Sequence, residues 1–244
     1  MTTDLVTILG SGPNAVDCKP WNKRQIGTLV AINNAWRVRP DWDHLVHAGD
    51  FPPENMPEDV GKTQSVHTYD EYVPIQNRFG GFLYAGGTMA YTAAYWALGA
   101  LKPRLMAFLG CDMVYASDGS ETHFYGTGEP DPLRDDPTLH SLEAKCNRLI
   151  VAAHEEDCVC LNLSSAAQSR LTCPRSTLSD LNTADFDTLT QRQGESIDWQ
   201  VVADAMAREK ALGYMVPSGD YWNFPDAFDA AELRALDGLW KKAL

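Results

Sequence analysis

Nowhere does the chain run through 18 successive apolar residues, so no membrane-spanning helix is expected. Basic residues are scarce: 20 Lys and Arg stand against 33 Asp and Glu, a formal net charge of -13. A protein that coats nucleic acid must neutralise many phosphates, so DNA and duplex RNA are excluded as general partners. One small phosphate in a local pocket is not. The six cysteines, Cys18, Cys111, Cys146, Cys158, Cys160 and Cys173, form no CxxC pair, which removes the common zinc and dithiol signatures. They read as reduced structural thiols of a cytosolic protein. Residues 1–4 show no basic stretch leading into a long apolar run, so no secretory leader is expected and the expected location is the cytoplasm. Also missing are a GxSxG elbow, a GxxxxGK phosphate loop, an HExxH helix and an EF-hand loop, which removes the common hydrolase and P-loop readings.

What is present belongs to an ordinary globular chain. It has 244 residues, 44% hydrophobic and 22% charged, enough for one large domain with an appendage. Short apolar runs at 5–9, 28–32, 44–48, 65–69, 105–109 and 158–163 predict strands. Helices are predicted at 89–98, with Gly99 as its stop, at 139–156, at 199–212 and at 230–244, where Leu233, Leu236 and Trp240 share one stripe. Residues 117–138 read as a long binding loop. The alternation predicts an α/β fold, a mostly parallel sheet with helices on both faces over 1–174, and a C-terminal helical extension over 175–244.

In such a sheet ligands sit at the carboxyl ends of the strands. The first strand ends in Gly10-Ser11-Gly12-Pro13-Asn14, which with Ala15 spells GxGxxA. Glycines there let a phosphate approach the backbone and a helix N-terminus. The second strand ends in Asn33-Asn34, where an NAD enzyme would carry an acidic residue, so a standard NAD site is not expected. Asparagine both donates and accepts and suits a base or ribose edge. Asp50 and Asp112 follow later strands, whereas Asp41-Trp42-Asp43 precedes one and reads as a solvated turn rather than a metal-holding DxD. Tyr115, His123 and Tyr125 cluster beyond Asp112, and His140 opens the later helix. Tyrosine hydroxyls can support a leaving phosphate, and a histidine can take a proton. His44, His47, His67 and His154 read as structural.

The chain resembles the bacterial sialyltransferase family that uses CMP-sialic acid, and Rossmann-like proteins related to it. The resemblance covers about residues 5–165 and rests on Gly10-Ser11-Gly12-Pro13-Asn14, on Ile32-Asn33-Asn34-Ala35-Trp36, on Gly86-Gly87-Thr88 with the Ala-rich run to Gly99, and on Gly110-Cys111-Asp112 followed by Tyr115. It departs where the family's Gly-Pro-Ser becomes Gly12-Pro13-Asn14, where Ser-Gly becomes Gly86-Gly87, and where Gly49-Asp50 follows the third strand. It implies an inverting, metal-independent transfer of a sialic-acid-like sugar from a CMP-activated donor to a glycan acceptor, with no resident cofactor. By that resemblance the nucleotide meets Gly10, Ser11, Gly12, Pro13, Asn14, Asn33, Asn34, Gly86, Gly87, Thr88 and Asp112. Tyr115 and Tyr125 hold the leaving phosphate, and His123 or His140 is the base, chain order favouring His140. A related branch, the 6-hydroxymethylpterin pyrophosphokinases, shares the opening turn and the Gly-x-Asp strand. It implies ATP and Mg²⁺ near Asp50 or Asp112. A non-catalytic nucleotide-binding protein is the third reading, and the sequence allows a homo-oligomer.

Overall fold

The computed structural model describes residues 4–115, 121–127 and 136–244. Residues 1–3 and most of the expected 117–138 loop lie outside them. Among the described residues the strands are β1 (Leu5–Leu9), β2 (Thr28–Ile32), β3 (His44–Val46), β4 (Ser65–His67), β5 (Leu105–Leu109) and β6 (Val159–Asn162). They form one sheet in the order β4-β3-β2-β1-β5-β6, and every neighbouring pair is parallel. The helices are α1 (Lys23–Ile26), α2 (Tyr69–Arg78), α3 (Phe82–Ala85), α4 (Met89–Leu101), α5 (Leu142–Glu155), α6 (Leu178–Asn182), α7 (Phe186–Glu195), α8 (Trp199–Leu212) and α9 (Ala230–Trp240).

Strand side chains alternate between faces, and the two faces feed two cores. Val6, Ile8, Val30 and Phe108 pack with α2, α4 and α5, while Leu9, Leu29, Ala31 and Leu161 pack with α1, α6 and α7. Helices therefore cover both faces of a Rossmann-like α/β sheet. Helix α4 is buried from Met89 to Leu98, as expected for a helix apolar all round. Each fully buried large side chain there contributes about 1.5–3 kcal/mol.

Several boundaries differ from the sequence expectation. Gly99 is not a helix stop: α4 runs on to Leu101 and ends on Lys102 in the left-handed region, at φ 51°. Gly99 lets α2 approach, because a Cβ there would lie 2.5 Å from Ile75 Cγ2. Strand β4 stops at His67 because Thr68 opens α2, its N–H donating to Glu71 Oε2 at 3.4 Å. Strand β3 stops at Val46 rather than Ala48. Helix α5 starts at Leu142, capped by Ser141 Oγ, which accepts from Ala144 N at 3.2 Å. The polar stretch 180–200 contains α7, whose Phe186 and Leu189 cover the second core.

Helices α8 and α9 dock on α3 and α5 through a third apolar cluster that includes Leu83, Ala144, Val202, Leu236 and Trp240. Two buried ion pairs cross this junction. Lys145 Nζ lies 2.9 Å from Asp237 Oδ1 and also donates to the Leu83 carbonyl. Arg148 grips Glu209 through two bonds of 2.7 and 2.8 Å. Among the described residues no helix is long and apolar enough to cross a membrane.

Candidate functional site

Strands β1 and β5 are neighbours, yet the chain leaves them in opposite directions across the sheet, toward β2 and toward β6. Such a switch point opens a crevice at the carboxyl ends of the strands. Its floor is a pair of interlocked turns. Gly10 N donates to the Leu109 carbonyl and Gly12 N to the Gly110 carbonyl, both at 2.8 Å. A Cβ on Gly10 would overlap the Gly110 carbonyl oxygen, and one on Gly12 would come within 2.8 Å of it. The close approach of the two turns is thus sufficient reason for both glycines, before any ligand is considered.

Asn14, Asp112 and Ser164 tie three strand ends together. Asn14 Nδ2 donates to Asp112 Oδ2 at 2.8 Å and to Ser164 Oγ at 2.5 Å, and Ser164 Oγ donates to Asp112 Oδ2 at 2.5 Å. Ser164 is itself positioned by its N–H on Asn162 Oδ1 at 2.9 Å. Sequence reading missed Ser164, which carries no motif and stands 150 residues from Asn14. The network consumes one oxygen of Asp112; the other, Oδ1, is buried and has no partner among the described residues. Asn33 adopts the left-handed region at φ 48° and accepts from Ala48 N at 3.0 Å, linking the ends of β2 and β3. Asn34 is buried, and its Oδ1 likewise has no partner among the described residues.

Residues 121–127 are pinned over this floor. Phe124 N donates to the Ser11 carbonyl at 3.0 Å, and the Phe124 ring packs on the second core. His123 and Gly126 close a tight turn by mutual backbone bonds of 3.0 and 3.1 Å. The His123 ring stacks on Tyr125, centroids 5.0 Å apart, and lies 6.4 Å from Tyr115. Thr122 Oγ1 is 2.8 Å from His123 Nδ1.

Together these pieces enclose a cleft of about 340 Å³. It gathers the predicted Gly10, Ser11, Gly12, Pro13, Asn14, Asn33, Asn34, Thr88 and Asp112, with Tyr115, His123 and Tyr125. Its described lining includes the carboxylates Asp50 and Asp112 and no lysine or arginine. Thr88 caps α4, its Oγ1 accepting from Tyr91 N at 3.4 Å. Burial at this floor pushes the Cys111 thiol well above its ordinary range, so it stays protonated.

Three predicted residues fall elsewhere. His140 is exposed ahead of α5 and lines neither this cleft nor the cavity beside it. Gly86 ends α3 with φ 95°. Gly87 lines a second cavity of about 600 Å³, which shares Ala48, Asp50 and Met89 with the first. Asp41 and Asp43 are committed to structure. Asp41 pairs with Arg39 at 2.7 Å, and Asp43 pairs with Lys23 and accepts from Leu29 N at 2.7 Å. His47 is held on the Ala48 carbonyl at 2.8 Å, while His44 meets Trp96 edge-on and His67 lies tilted against it. All six cysteines are buried and unlinked. No family model, curated protein or solved structure matches the chain.

Proposed function

We propose that the switch-point cleft binds the nucleoside monophosphate part of a CMP-activated sugar, and that the protein transfers the sugar to a hydroxyl acceptor with inversion. The carrying observation is the pair of buried acceptor atoms without a partner among the described residues, Asp112 Oδ1 and Asn34 Oδ1, on two residues that line a cleft whose described lining has no lysine or arginine. Such a wall needs a ligand rich in donors, as ribose hydroxyls and a cytosine amino group are. An unmet buried acceptor costs about 1–3 kcal/mol, which ligand binding would recover. A single phosphate needs less counter-charge than a diphosphate, and tyrosine hydroxyls can supply it by hydrogen bonding.

In this reading Tyr115 and Tyr125 meet the leaving phosphate. His123, stacked on Tyr125 in the cleft, is favoured over the outlying His140 as the base. The acceptor oxygen attacks the anomeric carbon as the carbon–oxygen bond to phosphate breaks. CMP departs with the bonding electrons, and the acceptor proton passes to His123. A histidine suits this step because its ordinary pKa lies near neutrality.

One observation favours a second reading. Asp50 and Asp112 line the same cleft, as an ATP- and Mg²⁺-dependent pyrophosphoryl transfer would use them. A thermal-shift titration with CMP, CDP, UDP, ADP and ATP, each with and without Mg²⁺, separates the two. A ligand that binds only the folded state raises the midpoint by mass action. The sugar-transfer reading expects a rise with CMP in the absence of metal. A rise confined to ATP with Mg²⁺ supports the pyrophosphokinase reading instead, and no rise with any nucleotide overturns both.

A further inference from the structure

The second cavity is built from parts far apart in the chain. Helix α2 gives Tyr69 and Tyr72, the start of α3 gives Phe82, and the C-terminal segment gives Tyr221 and Trp222. Tyr69 and Trp222 keep 56% and 63% of their surface exposed, so both rings are open to a ligand at the cavity's edge. The Tyr221 and Trp222 rings stand edge to face with centroids 5.3 Å apart, and Phe82 lies 6.2 Å from Tyr221.

Three carboxylates accompany the rings: Asp50, Asp136 and Asp220. Asp136 is locked in place, accepting from the Tyr221 hydroxyl at 2.7 Å, from Thr138 N at 2.8 Å and from Thr138 Oγ1 at 2.6 Å. The described lining has no lysine, arginine or histidine. A second, independent feature of the cavity is Thr92. It lines the cavity at 0% exposure, and its Oγ1 is buried without a partner among the described residues.

We infer that this second cavity binds an organic ammonium ion that also carries a hydroxyl group. Ring faces and carboxylates both attract a cation, and the same carboxylates repel an anion. A neutral ring compound gains only stacking and hydrogen bonds. Thr92 Oγ1 supplies the polar partner that the hydroxyl requires. A volume of about 600 Å³ suits a small molecule. Because Ala48, Asp50 and Met89 line both cavities, this ion is also the acceptor in the proposed transfer. That role, unlike the binding itself, rests on the sugar-transfer reading.

Calorimetric titration of the whole chain at pH 6.5 and low salt tests the binding. Choline is compared with its uncharged isostere 3,3-dimethylbutan-1-ol, and glucosamine with glucose. Each cation is expected to bind about tenfold or more tightly than its neutral counterpart, with the advantage shrinking as salt is raised. Asp220→Asn and Trp222→Leu should each weaken the cation severalfold without moving the melting midpoint. Equal affinities, or tighter neutral ligands, overturn the inference. CMP is titrated into the same protein as a separate arm. CMP binding without a cation preference sinks this inference alone, whereas a cation preference without CMP binding keeps the site and removes its acceptor role.

Discussion

Gly10 and Gly12 were legible in the sequence as a special turn, but their reason was not. A phosphate-approach motif and a tight crossing of two turns both demand glycine, and only the position of the Gly110 carbonyl shows that the crossing alone suffices. Gly10→Ala is therefore expected to destabilise the fold by about 1–3 kcal/mol even without ligand, read from urea denaturation; an unchanged midpoint would show that the turns can separate. Ser164 was illegible for the opposite reason. A serine after a strand has no distinguishing spacing, and its partners Asn14 and Asp112 come from distant turns. His140 illustrates the limit of ordering along the chain. It follows both tyrosines as a base would, yet it lines neither cavity, whereas His123 is fixed beside them by the Phe124 anchor.

At the scale of elements, the strands could be read because buried parallel strands are short, apolar and β-branched. Helix α2 was hidden, although Thr68 and Glu71 carry the spacing of a capping box. Pro74 inside it and the short strand just before it obscured the helical period. The edge formed by β3 and β4 makes a prediction of its own. Burial, and then the neighbouring His67, hold His44 below its ordinary pKa of 6.5, with Lys23 adding and Asp43 and Glu71 opposing. The unfolded chain thus takes up a proton that the folded edge resists. Stability contributed by neutral His44 is complete above the unfolded value and declines as pH falls below it. The melting midpoint should drop between about pH 7 and pH 5, and His44→Gln should flatten that slope. An identical slope in the variant would show that His44 is not the titrating group.

For the whole molecule, the C-terminal helices were predicted as an extension, and their stripe of Leu233, Leu236 and Trp240 is buried as expected. The ionic weld was not visible, because charged residues within a helical run, here Lys145 and Arg148, carry no sign in sequence of the distant partners that bury them. Both are almost fully buried against Asp237 and Glu209. Removing one partner strands a charge in the interior, so Arg148→Met should cost about 3–5 kcal/mol, whereas Arg148→Met with Glu209→Leu should recover much of it. Thermal and urea unfolding of the single and double variants check this; equal losses in both would place the energy in packing rather than charge. The weld matters for the site because Tyr221 and Trp222, which wall the second cavity, lie in the segment between α8 and α9 that it anchors.

The most direct test of the central claim is calorimetric titration of CMP, with a chelator present, into the wild-type protein and into Asn34→Ala. Saturable metal-independent binding to the wild type is expected, weakened about tenfold when the buried Asn34 oxygen, which has no partner among the described residues, is removed, in line with a lost hydrogen bond of about 1–3 kcal/mol. No binding to the wild type, or equal binding to both proteins, would contradict the claim.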